Sequence, residues 1–279
     1  MSTFNITTHA GTFSKIIADP LKQGFLDIGL KEDHDNPDYH IAVGGCLFNK
    51  FDRPPKYNNC KNVLLFMENL PCLYSTPHKN QKLKQLIDSK EMWDYVIFSE
   101  PVDKDYFKRL DVDIPFDFGS TCYISAGEIK LRPKQDNNDL AFFGAISDRR
   151  VSIIDSIREK YKVLTPCAPQ IKRKKTGPWP YTWYKYGTKY GLNIHFDKEP
   201  VNEFMRIIHL MANGFIVVTE TLVAPEFYGF NSDNIIELKD LTELDLSCID
   251  DDKLYAGMYK FLNDVCNPQT VANRVMELL

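Results

Sequence analysis

The sequence of 279 residues lacks any apolar run long enough to cross a membrane. Its apolar runs, such as Val63–Met67 and Phe215–Val218, fall far short of the roughly 20 residues that a spanning helix needs. The N-terminus has neither a basic start nor an apolar signal core, so we expect a cytoplasmic protein. None of the seven cysteines forms a Cys-x-x-Cys pair, and the sequence therefore indicates neither a zinc ribbon nor a redox motif.

An excess of positive charge is also missing. The formal net charge is −4, whereas a protein that binds nucleic acid mainly through its phosphates is usually basic. The sequence therefore predicts no nucleic-acid partner. Hydrophobic residues make up 43% of the chain, which is enough for a core and excludes a mainly disordered protein.

Short apolar runs and amphipathic helical stretches alternate along the chain, a pattern typical of βαβ units and a parallel sheet. The runs cover residues 40–43, 62–66, 95–98, 121–124, 140–143, 161–164, 192–195, 215–218 and 234–238. The polar stretch 126–138 is typical of a linker between an N-terminal domain (1–125) and a C-terminal domain (139–279). We predict an α/β fold in which two Rossmann-like, doubly wound parallel-sheet domains face a ligand-binding cleft.

The segment after the run 140–143 has the features of an anion site. Gly144 permits a tight turn, and Asp148 can cap a helix that begins beside it. The N-terminus of that helix offers free N–H groups and a positive dipole, while Arg149 and Arg150 add donors that suit phosphate. The alternative is an ordinary βα turn with both arginines in water.

A second group of polar residues surrounds the run 215–218. Arg206 and His209 share one stripe of the preceding helix. Glu220 stands just past the C-terminal end of the run, where α/β sites collect their polar groups. The alternative is a structural ion pair between Arg206 and Glu220, with His209 a core histidine whose hydrogen bonds are satisfied.

These two segments, in this order, resemble the donor-binding half of glycosyltransferases of the GT-B fold. They are most similar to the group-1-like, spore-maturation type, whose C-terminal domain also begins with a strand, a glycine and two arginines. The resemblance covers residues 139–240, including the run 192–195, which resembles the strand before the donor helix. It implies that a nucleotide-sugar donor is bound by Gly144, Arg149, Arg150, Asn193, His195, Arg206, His209 and Glu220.

Retaining members of that family carry two glutamates eight positions apart at the donor helix, and the second holds the nucleotide ribose. Here those positions are Val201 and His209. The resemblance therefore implies an inverting enzyme, which needs a general base to deprotonate the acceptor hydroxyl. Glu68 and Glu100, each just past an apolar run of the N-terminal half, are the candidate catalytic bases.

Asp19 and His9 are weaker candidates for the base. Asp111 and Asp113 match the Asp-x-Asp motif that binds a divalent metal in the other large glycosyltransferase fold. They follow a basic helix end rather than a buried strand, which favours a chance turn. We therefore expect neither a metal nor another cofactor.

Residues 166–190 form an insertion rich in proline, aromatic and basic residues, a composition often found in functional loops. Trp179, Tyr181 and Trp183 are candidate acceptor-binding or lid residues, since aromatic rings stack on sugars and bases. The cluster Lys172–Lys175 is a candidate site for the phosphates of a donor or of nucleic acid. The alternative is a loop that packs its aromatic side chains against its own domain.

The leading hypothesis is a metal-independent, inverting glycosyltransferase of glycan biosynthesis that moves a sugar from a UDP-sugar to a glycan hydroxyl. One alternative is a nucleotide-sugar epimerase on the same fold, which would convert the donor without an acceptor. The other is a non-catalytic module that binds glycan or nucleic acid, which would show no affinity for nucleoside diphosphates.

Overall fold

The computed structural model describes residues 1–8, 12–44, 56–66, 86–98, 115–118, 138–166, 183, 185–196 and 204–279. The chain divides into two compact units. Unit 1 comprises Met1–Ala126 and Cys266–Leu279, and unit 2 comprises Gly127–Val265. Within the described ranges, no helix is long and apolar enough to span a membrane.

Unit 1 is built on a parallel sheet with the strand order β2-β1-β3-β4-β5-β6. Its strands are β1 (Thr3–Thr8), β2 (Lys31–Glu32), β3 (Tyr39–Gly44), β4 (Lys61–Phe66), β5 (Tyr95–Phe98) and β6 (Phe116–Phe118). Every residue of β3 and β4 after the first is buried, and such strands read as nearly continuous apolar runs. Helix α1 (Thr12–Asp27) contacts β1 and β3.

Unit 2 is built on a second parallel sheet, with the strand order β11-β10-β9-β7-β8. Its strands are β7 (Leu140–Phe142), β8 (Val163–Leu164), β9 (Tyr190–Asn193), β10 (Ile216–Glu220) and β11 (Ile236–Leu238), and its helices are α2 (Asp148–Arg158), α3 (Phe204–Ala212) and α4 (Asp251–Asp264). Because β7, β9 and β10 are neighbours, their carboxyl ends meet along one edge. The two parallel sheets with their helices confirm the predicted α/β class.

The C-terminal helix α5 (Pro268–Leu278) belongs to unit 1, where it contacts α1. A Cβ on Gly24 of α1 would lie 2.1 Å from the carbonyl oxygen of Pro268, so the glycine allows the two helices to approach closely. The apolar face of α5, with Val271 and Val275, is buried there. The predicted second domain, 139–279, is therefore too long at its C-terminal end.

Candidate functional site

The turn between β7 and α2 depends on Gly144. A Cβ at this position would lie 3.0 Å from Cζ of Phe142 and 3.2 Å from Nη2 of Arg206, so a larger residue would press on both side chains. The helix then begins with Ser147, whose side-chain oxygen accepts a hydrogen bond from the backbone N–H of Arg150 (3.4 Å). Ser147 is therefore the N-cap of α2, and the prediction that Asp148 caps the helix is wrong.

Arg150 has a structural role. Only 1% of its surface is exposed. Nη1 donates to the carbonyl oxygen of Ala145 (2.8 Å), and Nε donates to that of Ile194 (2.9 Å). The guanidinium carbon lies 5.3 Å from the ring centre of Phe142 and 5.1 Å from that of Phe196. These contacts correct the prediction that Arg150 faces a donor diphosphate, because its guanidinium is bonded to backbone carbonyls in the interior.

Arg149 forms an ion pair with Glu220. Its Nη1 donates to Oε2 of Glu220 (3.0 Å) and to the carbonyl oxygen of His195 (2.9 Å), and Glu220 accepts the backbone N–H of His195 (2.6 Å). These hydrogen bonds among Arg149, Glu220 and His195 join the start of α2 to the carboxyl ends of β9 and β10. Glu220 is thus paired with Arg149 and not with Arg206, and this pairing differs from the predicted contact of Arg149 with a diphosphate.

Arg206 reaches the carboxyl end of β9 from helix α3. Its Nη1 donates to Oδ1 of Asn193 (3.2 Å) and to the carbonyl oxygen of Ile194 (3.1 Å). Asn193 is oriented in turn by Thr219, because its Nδ2 donates to the Thr219 hydroxyl oxygen (2.9 Å). Arg206 is half-buried. The structure thus brings three of the predicted residues together, with Arg206 beside both Gly144 and Asn193.

His209 lies on the same helix as Arg206 and is buried, with 3% of its surface exposed. Burial lowers its pKa to about 4, so the ring is neutral at physiological pH. Within the described residues its Nε2 has no hydrogen-bond partner, unlike the satisfied core histidine that we considered. The ring meets that of Trp183 edge to face, with the centres 6.4 Å apart.

Trp183 is buried as well, with 7% of its surface exposed. Its ring stacks on Phe143 with the centres 4.5 Å apart and the planes 11° from parallel. This packing corrects the prediction that Trp183 is an acceptor-binding or lid residue. It fits the alternative, in which an aromatic side chain of the insertion packs against its own domain.

His195 and Phe196, the second and third residues after β9, differ in exposure. His195 is buried, with Nε2 at 2.9 Å from the carbonyl oxygen of Thr221, whereas 47% of the Phe196 surface is exposed. Phe196 was missed by the sequence prediction, although its ring covers the guanidinium of Arg150. Its place just past the end of a buried strand is the signal that could have found it.

Several predicted residues lie outside the described ranges. They are the candidate bases Glu68, Glu100 and His9, the insertion residues Trp179, Tyr181 and Lys172–Lys175, and the motif Asp111 and Asp113. Among the residues that the structure does describe, no group of three or more His, Cys, Asp or Glu side chains is arranged to hold a metal ion.

Comparison with known proteins identifies the fold of this chain. No protein-family model matches the sequence, and no curated protein matches it. The crystal structure of Anabaena HepE in complex with UDP and glucose is similar, with a TM-score of 0.59 and 12% identity over 99% of this chain and 98% of HepE. The complex of HepE with UDP-glucose gives a TM-score of 0.58 with the same identity and coverage. HepE is a GT-B glycosyltransferase, and the predicted GT-B fold is confirmed.

Proposed function

We propose that this protein is a glycosyltransferase that moves a sugar from a nucleotide-diphosphate donor, a UDP-sugar, to a hydroxyl group of a glycan. The observation that carries the proposal is the position of Arg206 beside the Gly144 turn, at the carboxyl edge of a parallel sheet in a GT-B chain. Ligands of open α/β sheets bind at this edge. The HepE crystals hold UDP with glucose, or UDP-glucose, which supports a UDP-sugar as the donor.

Arg206 is the residue that binds the donor diphosphate in this proposal. A guanidinium is always charged, and its planar N–H groups match the oxygens of a phosphate. The bonds of Nη1 to Asn193 and Ile194 fix the side chain before the donor arrives, which lowers the entropic cost of positioning the donor. Gly144 has no side chain to separate the phosphates from the backbone of the turn.

The proposed reaction is a single displacement with inversion. The acceptor hydroxyl attacks the anomeric carbon of the donor sugar, and its proton passes to a general base, for which Glu68 and Glu100 are the candidates. The bond from the anomeric carbon to the diphosphate breaks, and UDP leaves with the electron pair. Arg206 stabilises the charge that develops on the leaving group, without a metal or another cofactor. Inversion is favoured because Val201 and His209 replace the two carboxylates of retaining enzymes.

Calorimetric titration of the full chain with UDP, GDP and UDP-glucose tests donor binding. We expect UDP and UDP-glucose to bind. Release of UDP only when a glycan acceptor is present would support transfer, whereas conversion of UDP-glucose without an acceptor would favour the epimerase. A wild-type chain that binds no nucleotide would refute the proposed function.

Arg206→Ala tests the role of the guanidinium. Hydrogen bonds to charged groups contribute about 1.5–3 kcal/mol, so UDP should bind about 10- to 100-fold more weakly. Arg206→Lys keeps the charge, and its affinity for UDP should lie between those of wild type and Arg206→Ala. The control is Arg158→Ala, since Arg158 is an exposed residue of α2 that pairs with Asp155 (2.9 Å). UDP affinity equal to wild type in a folded Arg206→Ala variant would exclude this role.

A further inference from the structure

The orientation of the His195 ring is fixed by a hydrogen bond to the loop after β10. Nε2 lies 2.9 Å from the carbonyl oxygen of Thr221. A carbonyl oxygen can only accept, so Nε2 carries the proton of this bond. In the neutral ring the other nitrogen, Nδ1, is then a bare acceptor.

That acceptor is unsatisfied. Within the described residues Nδ1 has no hydrogen-bond partner, and it is shielded from solvent. Only 3% of the His195 surface is exposed. A buried acceptor without a partner costs free energy, and most buried polar atoms in proteins do have a partner. A buried, fixed and unsatisfied acceptor beside a candidate site indicates a ligand group that donates.

The backbone of His195 is held as firmly as its ring. Its N–H donates to Oε2 of Glu220 (2.6 Å), and its carbonyl oxygen accepts from Nη1 of Arg149 (2.9 Å). Rotating the ring to exchange its nitrogens would break the bond to Thr221. The neighbouring Ile194 carbonyl oxygen accepts a hydrogen bond from Arg206. His195 and Arg206, the residue proposed to bind the diphosphate, therefore lie at the same end of β9.

We infer that Nδ1 of His195 accepts a hydrogen bond from a hydroxyl group of the bound nucleotide sugar. This inference rests on the proposed function. The phosphate oxygens of a nucleotide sugar are acceptors and cannot satisfy Nδ1, whereas its ribose and its transferred sugar both carry hydroxyl groups. His195 is thus a positioning residue for a sugar ring, next to the arginine that binds the phosphates.

Two substitutions of His195 distinguish the role of Nδ1 from that of Nε2. His195→Gln can keep a donor near the place of Nε2, and with it the bond to Thr221, but removes the acceptor at Nδ1. His195→Asn keeps an acceptor near the place of Nδ1 and loses the bond to Thr221. Each variant is titrated with UDP, 2′-deoxy-UDP, 3′-deoxy-UDP and UDP-glucose, after circular dichroism has shown that it folds.

We expect His195→Gln to bind the ligand that carries the hydroxyl group about tenfold more weakly, which corresponds to the loss of one hydrogen bond. The affinity of His195→Asn for the same ligand should stay within about threefold of wild type. If the hydroxyl belongs to the ribose, the loss occurs with UDP and disappears with one of the deoxy nucleotides. If it belongs to the transferred sugar, the loss occurs with UDP-glucose and is absent with UDP.

Two results would overturn the inference while leaving the proposed function intact. One is wild-type affinity of His195→Gln for all four ligands. The other is a loss that is larger in His195→Asn and equal for every ligand, because that pattern belongs to a structural role through Thr221. If the wild-type chain binds none of the ligands, the proposed function fails, and the inference fails with it.

Discussion

Replacing His209 by leucine should make the protein less sensitive to acid. The ring is buried, and burial lowers its pKa from 6.5 to about 4. Between these values the unfolded chain binds a proton that the folded chain does not bind. The free energy of unfolding therefore holds its full value above pH 6.5 and falls as the pH decreases towards 4.

The size of the loss follows from the two pKa values. One pKa unit corresponds to about 1.4 kcal/mol, and the linkage relation then gives a loss of about 2 kcal/mol between pH 7 and pH 4.5. His209→Leu removes the titrating ring, and this part of the loss should vanish. Burial also lowers the pKa of His40, but both proteins keep His40 and its effect cancels in the comparison.

Urea unfolding at pH 7 and pH 4.5 measures the effect, with hydrogen exchange of the α3 amides to identify the transition of unit 2. Met205→Leu on the same helix is the control, because it changes a buried side chain without changing the number of bound protons. Equal losses between the two pH values in wild type and His209→Leu would refute the reasoning.

Two further substitutions test the close contacts at glycines. Gly144→Ala places a methyl group 3.2 Å from Nη2 of Arg206 and should weaken UDP binding, measured by calorimetry, by about tenfold. Gly24→Ala places a methyl group 2.1 Å from the carbonyl oxygen of Pro268. Such overpacking costs about 1–3 kcal/mol of stability. Unit 1 should therefore unfold at a lower urea concentration, while the affinity for UDP stays unchanged. Wild-type UDP affinity in the first variant, or wild-type stability in the second, would contradict these contacts.

Strands β7 and β10 of unit 2 could be predicted because every residue of these strands is buried, and strands buried on both faces need an apolar side chain at almost every position. Strand β1 could not be predicted in this way, since Asn5 and Thr7 interrupt its apolar pattern. Their polar groups are satisfied by residues distant in sequence: Asn5 Nδ2 donates to the hydroxyl oxygen of Tyr57 (2.7 Å), and Thr7 Oγ1 lies 2.9 Å from Nε2 of His40. The order of apolar and polar residues along the chain gives no information about which distant residues form these hydrogen bonds.

The candidate site was predictable where position within an element decided it. Gly144 is predicted from its place just past a strand end and Arg206 from its place on the polar stripe of a helix, and the structure places them together. The partners of the arginines were not predictable, because Arg149, Arg150 and Arg206 carry the same charge. Their roles depend on which carbonyl or carboxylate the fold brings within reach, as in the pairing of Arg149 with Glu220.

The residues at the end of β9 offer a substrate two kinds of chemistry. Arg206 presents only hydrogen-bond donors and a positive charge, which suit the oxygens of a diphosphate. The Nδ1 of His195 presents only an acceptor, which suits a hydroxyl group. The fully ionised diphosphate of a nucleotide sugar has no hydrogen to donate to this acceptor, and a free sugar has no anion for the guanidinium. A nucleotide sugar carries both groups on one molecule and orders them in a single binding event, so this edge should bind the intact donor more tightly than inorganic diphosphate or free glucose.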